Sequence, residues 1–250
     1  MLNTPKRWAF FLPNTFTALN MGCGFLSIIL GWKGEFYQAS MILVLGAIFD
    51  SVDGRVARLT GTQSSFGEQF DSISDVVSFG VAPAFLVYNR FFLDMGRIGL
   101  IASFIFLLCG ALRLARFNAN IDRVSSDFFQ GLPIPSGALA IIGITLLSLV
   151  APQILDYKWA VVVYVLFYAF LMISNIPFNS FKNSPWVKSH KKRVLLLIFT
   201  IIILAALYEE IMIFSVVGIY VIGTLIYYFL NRSTLQNMFE WKSEEDETLE

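Results

Sequence analysis

Charge is what this sequence has least of. Only 14% of its 250 residues are Asp, Glu, Lys or Arg, against about 25% in a soluble domain. That deficit excludes an ordinary soluble globule, and 56% hydrophobic residues with a mean hydropathy of +0.68 point to a membrane. Basic and acidic residues balance at 18 each, so no net positive charge recruits nucleic acid, and none is expected as a partner. Cysteine is scarce too. Cys23 and Cys109 lie in apolar runs, read as small packing residues and exclude a disulfide framework. The one histidine, His190, sits among Lys188, Lys191 and Lys192; that loop reads as a basic surface for anionic lipid, not as catalytic machinery. Alternating apolar and polar residues are missing, which excludes membrane-spanning strands. A clean signal peptide is also missing, because Pro13, Asn14, Thr15 and Asn20 interrupt the apolar stretch after Lys6 and Arg7.

What the chain does have is long apolar runs, several of them about 18–22 residues and so long enough to cross a hydrocarbon core of roughly 30 Å as helices. Eight spans are expected, at about 15–32, 37–58, 71–89, 97–117, 134–151, 157–175, 193–208 and 211–230. The fold class is therefore all-α, a polytopic membrane helical bundle. Residues 1–232 form the membrane-embedded domain, and 233–250 form an acidic cytoplasmic tail. The joins include Lys33–Phe36, the polar stretch Leu59–Phe70 with Gly61 and Gly67, Asn118–Pro133, Ile176–Lys192 and a tight hairpin at Glu209–Glu210. Lysine and arginine set the orientation. With both chain ends on one side, that side holds fourteen of them, including Arg55, Arg58, Arg113, Arg116, Arg123, Lys182, Arg193, Arg232 and Lys242; the other holds Lys33, Arg90, Arg97 and Lys158. The positive-inside rule makes the richer side cytoplasmic, in a cell membrane whose active site faces the cytoplasm.

Against this apolar background stand four acids in one stretch: Asp50, Asp53, Asp71 and Asp75. A carboxylate at membrane depth costs roughly 2.5–3.5 kcal/mol on insertion scales, so the group needs a counter-charge or water. Spacings of three and four put each pair on one helix face. Two neighbouring antiparallel helices would then aim four carboxylates into one pocket. Oxygen-only ligands suit Mg²⁺, Mn²⁺ or Ca²⁺, and Mg²⁺ commonly takes substrate phosphate oxygens as further ligands. Gly54 lets a ligand or a helix approach the backbone, and Arg58, about two turns beyond Asp50, offers a fork for phosphate.

The pattern Asp50-x₂-Asp53-Gly54-x₂-Ala57-Arg58-x₈-Gly67-x₃-Asp71-x₃-Asp75 resembles, without departure, the signature of the CDP-alcohol phosphotransferases. The resemblance implies a six-helix core, here with two added spans, often dimeric, so a homodimer is expected. It implies Mg²⁺ or Mn²⁺ held by Asp50, Asp53, Asp71 and Asp75, with Asp75 also the catalytic base. It implies a CDP-linked lipid, CDP-diacylglycerol, whose nucleotide end meets Gly54, Arg58 and Ser64. Pro13–Asn20, Ala111–Asn118 and Gly131–Ala138 further resemble the branch of that family whose alcohol is L-serine. Arg113 and Arg116 suit a serine carboxylate; the alternative is that they snorkel to anionic headgroups or serve the positive-inside bias. Asn118 orients substrate or ends its helix. Asn14 and Thr17 hold the nucleotide or cap a helix, while Pro133 and Pro135 read as helix-start residues. Competing readings are a phosphate-bearing acceptor such as glycerol 3-phosphate or inositol phosphate, an ion-coupled transporter with intramembrane acids, and a structural scaffold.

Overall fold

The computed structural model describes residues 11–119, 128–179, 199–200, 204 and 207–231. Seven long helices lie within them: α1 (Phe11–Trp32), α2 (Phe36–Thr60), α3 (Ser65–Met95), α4 (Arg97–Ala119), α5 (Ile134–Val150), α6 (Lys158–Ile173) and α7 (Glu209–Leu230). The chain is an all-α membrane protein. Four helices, α1, α3, α4 and α7, are long and apolar enough to cross a bilayer; α5 and α6 are shorter apolar helices, and α2 carries Asp50, Asp53 and Arg58 of the signature. The expected count of eight spans is not reached among the described residues. Most of the span expected at 193–208, the N-terminal Lys6 and Arg7, Arg123, the basic loop with Lys182 and His190, and the acidic tail lie outside them.

The helix ends fall into two sets. Tyr37, at the start of α2, donates its hydroxyl to Glu209 at the start of α7 at 2.6 Å, and Asp94 near the end of α3 pairs with Lys158 at the start of α6. The opposite set carries the α2–α3 turn and the ends of α4 and α6. α5 is buried around most of its circumference, as befits a helix apolar on all sides. Its Ile134, Ala138 and Ile141 meet Phe106 and Cys109 of α4, Val165, Ala169 and Met172 of α6, and Phe79, Phe91 and Phe92 of α3 in one core. α7 lies against α5 and leaves Ile219, Ile222 and Phe229 exposed, an apolar face suited to lipid.

Three joins differ from expectation. The polar stretch Leu59–Phe70 is mostly helix, with a turn of only Gly61–Ser64. Gly61 ends α2 in the left-handed region (φ 64°), its N–H bonded to the Ala57 carbonyl, a conformation that favours glycine. Ser64 then caps α3 by accepting from the Gly67 N–H at 3.1 Å. Polar residues had suggested a loop, but a good cap turns them into a first helical turn. The second difference is a pair of three-residue strands, β1 (Phe128–Gln130) and β2 (Pro177–Asn179), antiparallel with Phe129 opposite Phe178; three residues are too few to show a period. Third, Glu209 and Glu210 belong to α7, which they open, because acids at a helix N-terminus complement its dipole; most of the span expected to form a hairpin with α7 lies outside the described residues.

α3 is not uniform. Wider π-helical turns occupy Val76–Val81 and Tyr88–Phe92. The first begins directly after Asp75, and such turns recur at functional sites.

Candidate active site

The four-residue turn Gly61–Ser64 joins α2 to α3, both helices lie against α1, and their acids come together. One carboxylate oxygen each from Asp50, Asp53 and Asp71 comes within 4.8 Å of the other two. Asp75 stands beside this trio with its carboxyl against that of Asp50. Asp53 and Asp75 are buried, while Asp50 and Asp71 are half-buried. Two like charges at such a distance repel by roughly 3–4 kcal/mol at an effective dielectric of about 20. No lysine or arginine among the described residues pairs with any of the four.

Does a divalent cation fit? The donors are all carboxylate oxygens, the choice of hard ions such as Mg²⁺ and Mn²⁺. Asp71 Oδ1 is buried with no hydrogen-bond partner, the condition of a ligand atom without its ion. Both observations agree with a cation held by Asp50, Asp53 and Asp71. The family likeness implies four acids around the ion; oxygens of Asp50, Asp53 and Asp71 gather into one cage, and Asp75 lies beside Asp50 at its edge.

α1 forms the back wall. The Thr17 hydroxyl donates to Asp53 Oδ2 at 2.9 Å, and Asn20 Nδ2 donates to Asp75 Oδ1 at 3.5 Å. α3 answers with Ser74 and Ser78, whose hydroxyls donate to the main-chain oxygens of Thr17 (3.0 Å) and Asn20 (2.8 Å). Thr17, expected at the nucleotide, thus touches a carboxylate. Asn14 lies by the α2–α3 turn, its Oδ1 3.5 Å from where a Cβ on Gly67 would sit. Asn20 escaped the sequence reading as a site residue. Asn14, Thr17 and Asn20 recur at intervals of three along an apolar helix, and that polar stripe was the available signal.

Arg58 is exposed and folds back along α2, with Nη1 3.7 Å from the position of a Cβ on Gly54. The guanidinium therefore hovers over the Gly54 backbone beside Asp53. Ser64 serves α3 as its cap, and its hydroxyl proton is still available to donate.

The three residues expected at serine go to three different places. Arg113 is buried (7% exposed), its Nε has no hydrogen-bond partner, and it lies within electrostatic reach of Asp75. Arg116 meets another arrangement: its guanidinium donates to the main-chain oxygens of Ile173 (2.8 Å), Gln130 (3.0 Å) and Ser174 (3.1 Å), and to Asn175 Oδ1 (3.3 Å). It ties the end of α6 to β1. Asn118 Nδ2 donates to Ser72 Oγ at 2.9 Å, linking α4 to α3 between Asp71 and Asp75. Replacing Arg116 by Met strands several carbonyls at once, each worth on the order of 1–3 kcal/mol. Arg116→Met should lower the thermal midpoint in detergent by several degrees, as scanning fluorimetry would show; an unchanged midpoint would contradict this tethering role.

Carboxylates gathered among apolar helices define a membrane protein with an acidic site suited to a cation. Residues 10–169 match the family described as CDP-alcohol phosphatidyltransferase, and the chain belongs to that family. Among curated relatives, a CDP-diacylglycerol--serine O-phosphatidyltransferase of Helicobacter pylori is 35% identical over 226 residues, covering 87% of this chain and 90% of its own. One of the same name from Methanocaldococcus jannaschii is 43% identical over 171 residues, 68% of this chain and 75% of its own. An archaetidylserine synthase of Methanothermobacter thermautotrophicus is 42% identical over 144 residues, 56% of this chain and 60% of its own.

Proposed function

We propose that this chain is a CDP-diacylglycerol–serine O-phosphatidyltransferase, moving a phosphatidyl group from CDP-diacylglycerol to L-serine and giving phosphatidylserine and CMP. The carboxylate cage of Asp50, Asp53 and Asp71 with Asp75 at its edge is the observation that carries the chemistry. The relatives' names carry the acceptor: their lipid halves differ, diacylglycerol in some and archaetidyl in another, while serine is common to them.

The residues divide the work as follows. Asp50, Asp53 and Asp71 would hold Mg²⁺ or Mn²⁺, which when bound neutralises diphosphate charge and the charge that builds on departing CMP. Arg58, over Gly54 at the open side, steadies the nucleotide phosphates, and Asn14 and Ser64 line the same turn. Asp75 accepts the proton of the serine hydroxyl. A bond forms between that oxygen and the lipid-side phosphorus, and the bond from this phosphorus to the CMP oxygen breaks. Arg113, buried behind Asp75, meets the serine carboxylate; Arg116 holds the floor beneath it. The fourteen-to-four division of basic residues expected from the sequence supports a site at the cytoplasmic face of the cell membrane, where serine, CMP and Mg²⁺ are in water and the acyl chains stay in lipid. The homodimer expected from the family likeness belongs to the same reading.

CMP release by the purified protein, given CDP-diacylglycerol and one alcohol at a time, tests the assignment. Serine should support turnover at least about tenfold faster than glycerol 3-phosphate or inositol phosphate. Release with either phosphate-bearing alcohol and not with serine would overturn the choice of acceptor.

A further inference from the structure

Asn20 is an odd residue to find where it is. It lies in the middle of apolar α1, fully enclosed at 0% exposure. A buried amide without its full set of partners costs about 1–3 kcal/mol. Its side-chain oxygen has no partner, and among the described residues its one side-chain hydrogen bond is the donation to Asp75. A leucine of the same branched shape would fill the space without that cost.

The surroundings fix which way the amide faces. Its Oδ1 is 3.1 Å from where a Cβ on Gly46 of α2 would sit, so the absent side chain there makes room for the oxygen and Nδ2 faces α3. The opposite orientation would set a carbonyl oxygen against a carboxylate oxygen. The Ser78 hydroxyl anchors the Asn20 main chain from α3 at 2.8 Å. The side chain is therefore wedged between both helices that carry the acids.

We infer that Asn20 is a positioning residue for Asp75: its N–H holds one carboxylate oxygen and so turns the other toward the acceptor hydroxyl. A carboxylate rotates readily about its last bond, and a donor fixed on one oxygen removes that freedom. Thr17, one turn earlier on the same helix, does the same for Asp53. α1 thus aligns one carboxylate on each neighbour, Thr17 serving the cage and Asn20 the base. This deepens the proposed function and rests on its assignment of Asp75.

The test is Asn20→Leu, with Asn20→Ala beside it and Asp75→Asn in parallel, each purified and assayed for CMP release with serine. A misaligned base slows turnover without loosening substrate, and misplacement by about 1 Å can cost on the order of 100-fold. For both Asn20 variants kcat should fall about 10–100-fold. KM for serine, KM for CDP-diacylglycerol and the Mn²⁺ concentration for half-activity should stay within about threefold. The thermal midpoint of Asn20→Leu should equal or exceed that of the unmodified chain, since an orphaned polar atom has been removed. The inference is overturned by a kcat within about twofold of the unmodified chain, by a loss that appears in KM or in metal dependence, or by a kcat loss that merely tracks a collapsed midpoint. Should Asp75→Asn itself stay active, the base assignment fails instead; a dead Asp75→Asn with unaffected Asn20 variants sinks only the role of Asn20.

Discussion

Asp75→Asn should cut CMP release by at least about 1,000-fold while the protein still inserts and purifies as a discrete species. The substitution keeps shape and removes the negative charge, and with it the ability to take a proton. General-base catalysis contributes about 10²–10⁴-fold, and a serine hydroxyl is a poor nucleophile without it. Because Asp75 is buried against Asp50, losing one of two crowded like charges should not destabilise the fold. The thermal midpoint should hold or rise, the usual relation at a strained functional site. Rate and midpoint measured on the same preparation decide the matter. Retention of more than about a tenth of the rate would remove Asp75 from the proton-transfer role.

Chelation is the second large effect. Excess EDTA should bring turnover below about 1%, and Mg²⁺ or Mn²⁺ should restore it. There is also a readout free of activity. Three carboxylate oxygens within 4.8 Å of one another repel, so an ion that binds the folded state should raise the midpoint by several degrees at saturating concentration. Asp71→Asn should lose most of that shift, since Asp71 Oδ1 is the buried ligand atom with no other partner. Undiminished turnover in EDTA, or a midpoint indifferent to both ions, would mean that the cage holds no cation.

The acids were legible in the sequence because their meaning lies in spacing along helices, and helical spacing survives folding unchanged. Asp50 and Asp53 share a face whatever else happens, as do Asp71 and Asp75. The helix positions were legible for a related reason: long apolar runs have few alternatives in a membrane. What could not be seen were relations between helices. Arg116 reads as a free cation beside Arg113 until the end of α6 is known to present its carbonyls there. Asn20 reads as an interruption in an apolar stretch until Asp75 is known to lie across from it. The strands Phe128–Gln130 and Pro177–Asn179 exist through each other and through Arg116, with no pattern of their own. Ser64 was placed at the nucleotide by the family likeness; its local role as a cap decided where α3 begins.

The wide turns at Val76–Val81 have a further consequence. Each residue added to or taken from a helix swings everything beyond it by about 100°. Upstream of that stretch α3 must aim Asp71 and Asp75 at α2; within and after it the same helix must aim Ser78 at α1 and Phe79, Phe91 and Phe92 into the core. Ser74 and Ser78, one turn apart, both reach α1, and the wider winding that begins at Val76 sets where the residues beyond it point. The length of α3 is therefore a fixed dimension of the machine, and evolution can exchange its letters far more freely than it can insert or delete one.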